Sequence, residues 1–181
     1  LDLATGTGDL GFEVTGRDQT IDVTGADVSV GMLRRGYSKA QSRTERLAFL
    51  AGDAEGLPFA DALFDGVTIG FGIRNVVELD KGLGEIHRVL KPGGRVAILE
   101  FSKPATPILK GLYFLYFKRV LPLIGKLISR DSKAYTYLYE SVMLFPEGDV
   151  FCQHLSDAGL TSVEHFRLTF GIASIYIGHK G

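Results

Sequence analysis

The chain has a single cysteine, no tryptophan and only two methionines in 181 residues. One thiol, Cys152, excludes both an intramolecular disulfide and a cysteine-based zinc cluster, and it suits a reducing cytoplasm. The four histidines, His87, His154, His165 and His179, stand at no metal-ligand spacing, so no metal is expected. His87 reads as a solvated position on a helix. Gly-x-Ser-x-Gly is missing, which removes support for a hydrolase nucleophile elbow. No stretch reaches the roughly 18 uninterrupted apolar residues of a membrane-spanning helix. No repeats, low-complexity segments or signal peptide are visible.

An excess of one charge is also missing, since the net value is −1. The distribution is nevertheless uneven. Seven basic residues (Lys103, Lys110, Lys118, Arg119, Lys126, Arg130, Lys133) stand against one acid, Asp131, between 103 and 133. A chain that is acidic everywhere else is not a bulk nucleic-acid binder. A local basic patch fits an anionic membrane surface or an anionic ligand.

What is present is an alternation of short apolar runs with amphipathic stretches, the pattern of a βαβ sheet. Leu1–Ala4 reads as the end of a first strand. Ile21–Ala26, Leu47–Ala51, Val67–Phe71 and Arg95–Phe101 read as the next four, with gaps long enough for a crossover helix each time. Leu79, Leu83, Ile86 and Leu90 fall at helical spacing, and Lys91-Pro92-Gly93-Gly94 is read as the stop of that helix. Ile108–Ile128 is apolar and aromatic, and a polar helix is expected over Ser129–Ser141. A last helix covers Glu147–Ala158, ending at Gly159. Ser162–Thr169 and Ile172–His179 are two strands joined too closely to be parallel. The fold class is therefore α/β: a Rossmann-like, mostly parallel sheet with a C-terminal antiparallel hairpin and helices on both faces. Because the chain reaches its glycine loop by Thr5, it reads as a single domain whose N-terminus is truncated. Residues 104–146 read as a helical lid or substrate-binding insertion.

Gly6-Thr7-Gly8-Asp9-Leu10-Gly11 is a literal G-x-G-x-x-G after a strand, and Asp27 closes the next strand, where a ribose-binding acid belongs. On this motif alone a nicotinamide dinucleotide, S-adenosylmethionine and a plain glycine turn all stay open. Asp2, just before the loop, would repel a pyrophosphate but suits a ligand bearing ammonium and sulfonium charges. Gly52-Asp53-Ala54 offers an acceptor and a backbone N–H for an adenine edge, although an acid there also caps turns. Leu57-Pro58-Phe59, Phe64-Asp65 and Arg88-Val89-Leu90-Lys91-Pro92-Gly93-Gly94 follow in order. Together these resemble the class I S-adenosylmethionine-dependent methyltransferases.

Gly70-Phe71-Gly72-Ile73-Arg74-Asn75-Val76 and Leu99-Glu100-Phe101-Ser102-Lys103-Pro104 are more specific, as are Tyr135 to Glu140-Ser141, Asp157-Ala158-Gly159-Leu160 and Leu168-Thr169-Phe170-Gly171-Ile172. These resemble the UbiE/MenG family of menaquinone and ubiquinone C-methyltransferases along the whole chain. The resemblance implies S-adenosylmethionine as cofactor and a polyprenylated quinol as substrate, demethylmenaquinol in the first place and 2-polyprenyl-6-methoxy-1,4-benzoquinol as the alternative. It also implies a further covering segment upstream of the glycine loop. The resemblance places cofactor contacts at Thr7, Asp27 and the pair Asp53-Ala54, with Asp2, Gly6 and Gly8 completing the loop. Gly70 replaces a serine found in some members, so a hydroxyl contact is lost there.

A quinol phenolate pushes charge onto a ring carbon that can attack a sulfonium methyl in line. The protein must align the two ligands, exclude water and handle a phenolic proton. Arg74 and Asn75 leave the fourth strand where they could face the phenolate, although an arginine there could equally tie to a neighbouring carboxylate. Glu100, ending the fifth strand, is a candidate base. Tyr113, Tyr116 and Phe117 could wall a channel for the isoprenoid tail, or pack as core. The lysines and arginines of 103–133 would bring that channel to anionic lipid, so peripheral association with the inner face of the cytoplasmic membrane is expected. Self-association stays open. The rival readings are a nicotinamide dehydrogenase, another small-molecule methyltransferase, and a non-catalytic nucleotide-binding module.

Overall fold

The computed structural model describes residues 1–41, 46–104, 111 and 132–181, with 132–136 described by backbone alone. Among them seven strands form one sheet: β1 (Asp2–Leu3), β2 (Val23–Asp27), β3 (Leu47–Ala51), β4 (Phe64–Gly70), β5 (Leu90–Phe101), β6 (Leu160–Leu168) and β7 (Ala173–Lys180). Their order is β3-β2-β1-β4-β5-β7-β6. β1 to β5 run parallel, and β7 lies antiparallel between β5 and β6, as the closely joined final strands require. β1 is an interior strand at the point where the strand order reverses. Its neighbours are β2 on one side and β4 on the other, so the chain leaves the sheet in opposite directions there. A crevice forms at the carboxyl ends of such strands.

The helices around this sheet are α1 (Asp9–Arg17), α2 (Val30–Ala40), α3 (Leu79–Val89), α4 (Ser132–Leu144) and α5 (Asp149–Asp157). α1 starts from Gly8 at φ 82, a left-handed value that suits glycine, and a Cβ there would meet the Phe49 ring at 2.7 Å. α2 is capped by Ser29, whose side chain accepts from the Met32 N–H. α3 buries Leu83, Ile86 and Val89 at helical spacing against the sheet. Its C-terminal carbonyls are satisfied from a distant strand: the Lys180 ammonium donates to the carbonyls of His87 (2.7 Å) and Leu90 (2.8 Å).

Three sequence expectations change. No helix fills the connection from β3 to β4 over 52–63. Arg88 organises it instead, donating to the carbonyls of Phe59 (2.8 Å) and Leu57 (3.1 Å) and to the Asp61 and Glu85 carboxylates (2.7 Å each). Glu85 in turn accepts from the Leu57 N–H at 2.7 Å, and Arg88 holds its carboxyl below the ordinary range. A loop whose backbone groups are met this way has no need of a helix. Second, α3 stops at Val89, and Lys91-Pro92-Gly93-Gly94 is a bulge inside β5. The register jumps there from Phe64↔Leu90 to Gly66↔Arg95, with Gly93 at φ 77. Third, His87 is half-buried, its ring against Gly159, and burial lowers its titration.

The main core lies along β1, β4, β5 and β7, with Leu3, Val67, Ile69, Ile98 and Tyr176 from the sheet and Leu83, Ile86, Phe151 and Leu155 from α3 and α5. A smaller cluster of Phe12, Val23 and Leu47 seats α1 at the other side.

Candidate active site

At the carboxyl ends of β1, β2 and β4 lies a cleft of about 380 Å³, walled by Ala4, Asp27, Asp53, Ala54, Gly72 and Val76 among others. Asp27 closes β2, and its carboxylate accepts from the N–H of Gly6 (2.8 Å) and of Ser29 (2.7 Å). Those bonds fix the acid at the mouth of the glycine loop, with Gly6 itself at φ 58. Asp53 forms an Asx turn through Oδ1 to the Glu55 N–H at 3.0 Å, so the turn-capping geometry is present. Among the described residues no hydrogen bond engages its Oδ2, and Ala54 adds a backbone group to the same wall. On the opposite wall the Gly72 backbone meets that of Ala4. A Cβ on Gly72 would stand 2.4 Å from the Ala4 methyl, so only glycine lets the β1 and β4 loops approach this closely.

The other residues read from the loop sequence are not among those that wall this cleft. Asp2 is buried in the sheet, with its carboxylate accepting from the Thr5 hydroxyl (2.5 Å) and the Thr68 hydroxyl (3.1 Å). Burial pushes its titration up. The Thr7 hydroxyl donates to Asp9 (2.8 Å) and accepts from Lys39 (2.7 Å), tying the loop to α1 and α2. Gly70 ends β4, where a Cβ would touch only the Leu10 side chain at 3.4 Å. Tyr113, Tyr116 and Phe117 lie outside the described residues.

A second cavity of about 420 Å³ adjoins the cleft, with Val76 and Val77 lining both. Arg74, from the 3₁₀ turn Ile73–Asn75, stands in its wall, while Asn75 faces the first cleft. The Arg74 guanidinium is held on several sides. Nη1 donates to Glu100 Oε1 at 2.8 Å and to the Phe71 carbonyl, and the group lies 5.5 Å from the Phe101 ring centre. Glu100 is fully buried and also accepts from the Phe101 N–H (2.8 Å). Burial pushes its carboxyl up while Arg74 works in the opposite sense. The carboxylate tie read as an alternative for Arg74 is thus made, yet among the described residues its buried Nε has no partner. A charged N–H without an acceptor is costly.

The other walls of this cavity come from residues that local motifs did not single out as site residues. Tyr137 and Glu140 of α4 line it, with Leu144, Phe145 and Pro146 beyond. The Tyr137 hydroxyl donates to Asn75 Oδ1 at 2.9 Å, which pins α4 to the 3₁₀ turn. Glu140-Ser141 enters the sequence reading only through the resemblance, because a contact between elements so distant in the chain leaves no local pattern.

A mostly parallel sheet closed by an antiparallel pair, with a cleft at the carboxyl ends of its parallel strands, is the architecture of a class I S-adenosylmethionine-dependent methyltransferase. The chain belongs to the ubiE/COQ5 methyltransferase family, whose model matches residues 1–180. It is 48% identical over 183 residues to the ubiquinone/menaquinone biosynthesis C-methyltransferase UbiE of Geotalea daltonii, covering 99% of this chain and 77% of that protein. With the demethylmenaquinone methyltransferase of Thermus thermophilus it shares 46% identity over 180 residues, covering 99% and 81%. The fold is also that of a Haemonchus contortus phosphoethanolamine N-methyltransferase 2 solved in complex with S-adenosyl-L-methionine. The TM-score is 0.71 at 15% identity, covering 99% of this chain and 47% of that one.

Proposed function

We propose that this protein C-methylates a polyprenylated quinol, converting demethylmenaquinol to menaquinol. The names of its relatives support that class of acceptor. The observation that carries the reading within this chain is the placement of Arg74, a largely buried cation that stands in the wall of a cavity adjoining the cofactor cleft. A phenolate oxygen is an acceptor of the right charge for it.

S-adenosylmethionine, when bound, supplies an electrophilic methyl on a sulfonium. The residues present suit it: Asp27 would hold the ribose hydroxyls, and Asp53 with Ala54 the adenine edge. Arg74 stabilises the negative charge that develops on the quinol oxygen. Glu100, ion-paired behind it, keeps the guanidinium in place rather than taking a proton. Ile73, Val76, Leu79 and Phe145 exclude water and accept apolar substance. Asp27→Ala should weaken S-adenosylmethionine binding by about 1.5–3 kcal/mol, the range for losing a charged hydrogen-bond partner, as read by titration calorimetry. Tight NADH binding with none of S-adenosylmethionine would instead favour the dehydrogenase.

Residues 104–146 act as the acceptor-covering insertion in this reading. Its two roots meet: Glu147 Oε2 accepts from the Lys103 N–H at 2.7 Å, and the Lys103 ammonium lies 3.5 Å from Glu147 Oε1. Beside them the Ser102 hydroxyl donates to the Gly171 carbonyl (2.8 Å) and accepts from Ser174 (3.0 Å). Among the described residues no helix is long and apolar enough to cross a membrane. The basic residues of 103–133 would bring the insertion to anionic lipid, where a prenylated acceptor resides. The test is methyl transfer from labelled S-adenosylmethionine to reduced demethylmenaquinol and, separately, to the reduced benzoquinol. Transfer to the first at the higher kcat/KM is the expected result. Transfer to neither, with cofactor bound, would sink the reading.

A further inference from the structure

We infer that Glu140 is the general base that takes the phenolic proton of the acceptor, an inference that rests on the quinol reading above. The reaction needs such a group, because a phenol is a far better donor of ring electron density once its O–H proton is leaving. Glu100 is unsuited, being fully buried with Oε1 shared between Arg74 Nη1 and the Phe101 N–H. Glu140 differs in each respect. It is exposed and lines the cavity in which Arg74 stands. Among the described residues no hydrogen bond or ion pair engages its carboxylate, so both oxygens are available as acceptors.

Its placement follows from α4. Tyr137 and Glu140 are three apart, so they share a helix face. The Tyr137–Asn75 bond at 2.9 Å holds that face over the turn that presents Arg74. The cavity therefore has a fixed cation on the turn and an unengaged carboxylate on the helix. A phenol oxygen lying between them can give its proton to one and its developing charge to the other. In the balanced step the O–H bond breaks, the proton passes to Glu140, and the electron pair stays on oxygen. The activated ring carbon then bonds to the methyl as the methyl–sulfur bond breaks, with that pair remaining on sulfur. Loss of the ring carbon's own proton restores aromaticity, Glu140 returns its proton to the oxygen, and one proton leaves to solvent.

The experiment compares wild type, Glu140→Gln, Glu140→Asp and Glu140→Ala with reduced demethylmenaquinol and with ring-halogenated quinols of increasing acidity. Glu140→Gln should lower kcat about 100-fold, the lower end for a lost general base, with S-adenosylmethionine affinity unchanged. The loss should shrink as the acceptor hydroxyl becomes more acidic, and formate should restore part of the Glu140→Ala rate. A structural role would give neither dependence. Wild-type turnover in Glu140→Gln, or a loss equal for every acceptor with no response to formate, overturns the assignment while leaving the quinol reading intact. A wild-type protein that binds cofactor but methylates no quinol overturns both.

Discussion

Replacing Arg74 by alanine should lower methyl transfer by about 10²–10³-fold, the loss seen when one donor to a developing oxyanion is removed. S-adenosylmethionine affinity should stay within about threefold, since an interaction made only with the acceptor's developing charge lowers kcat and kcat/KM together. The same change leaves Glu100 buried without its counter-ion, and breaking such a pair costs about 3–5 kcal/mol of stability. The two effects can be separated through pH. Burial already pushes the Glu100 carboxyl above its ordinary value of 4.5, and Arg74 is the largest influence holding it down. Without Arg74 it rises further. A carboxyl whose folded pKa lies above its unfolded one supports folding below the unfolded value, and that support is lost as pH rises through the folded one. The stability deficit of Arg74→Ala should therefore widen as pH is raised from about 5 toward 8. Adding Glu100→Gln should narrow it, while turnover stays low. Turnover that recovers along with stability would show that Arg74 serves the fold alone.

How much of this was legible in the sequence depends on the range of the interaction. Asp27 and Asp53-Ala54 directly follow apolar strand runs, and the structure brings them to one cleft because parallel strands end at one edge of the sheet. Asp2 and Thr7 also adjoin the glycine loop, yet their side chains go elsewhere. Side-chain direction alternates along a strand, and Asp2 sits in register with Thr68, which turns its carboxylate into the sheet. That pairing depends on β4 lying beside β1, which no spacing near residue 2 reveals. Lys91-Pro92-Gly93-Gly94 is a turn signal whichever element it interrupts, and only the pairing of Phe64 with Leu90 shows that it interrupts a strand. The partnership of Arg74 with Glu100 joins two strand ends, and the approach of α4 joins residues farther apart still. Periodicity carries no information about either.

Phe151→Ala should cost the fold about 3–5 kcal/mol, the usual cost of truncating a buried phenylalanine. Phe151 is fully buried on α5, and its ring stands 4.9 Å from that of Phe145 and 4.7 Å from that of Tyr176. It thereby joins α5, the segment after α4 and the strand β7. The Tyr176 hydroxyl accepts from the Gly148 N–H at 2.8 Å, and Gly148, at φ 62, directly follows the Glu147 that binds Lys103. A void at Phe151 therefore loosens the ring stack, then the N-terminus of α5, then the joint between the two roots of the insertion. Urea unfolding should show a lower midpoint with the slope unchanged, because the area exposed on unfolding hardly alters. Methyl transfer should fall under conditions where the variant is still folded, since α4 and its Tyr137 contact hang from that joint. A cost below about 1 kcal/mol would mean that Phe145 and Tyr176 collapse into the space, so that the stack is not what fixes α5 on the sheet.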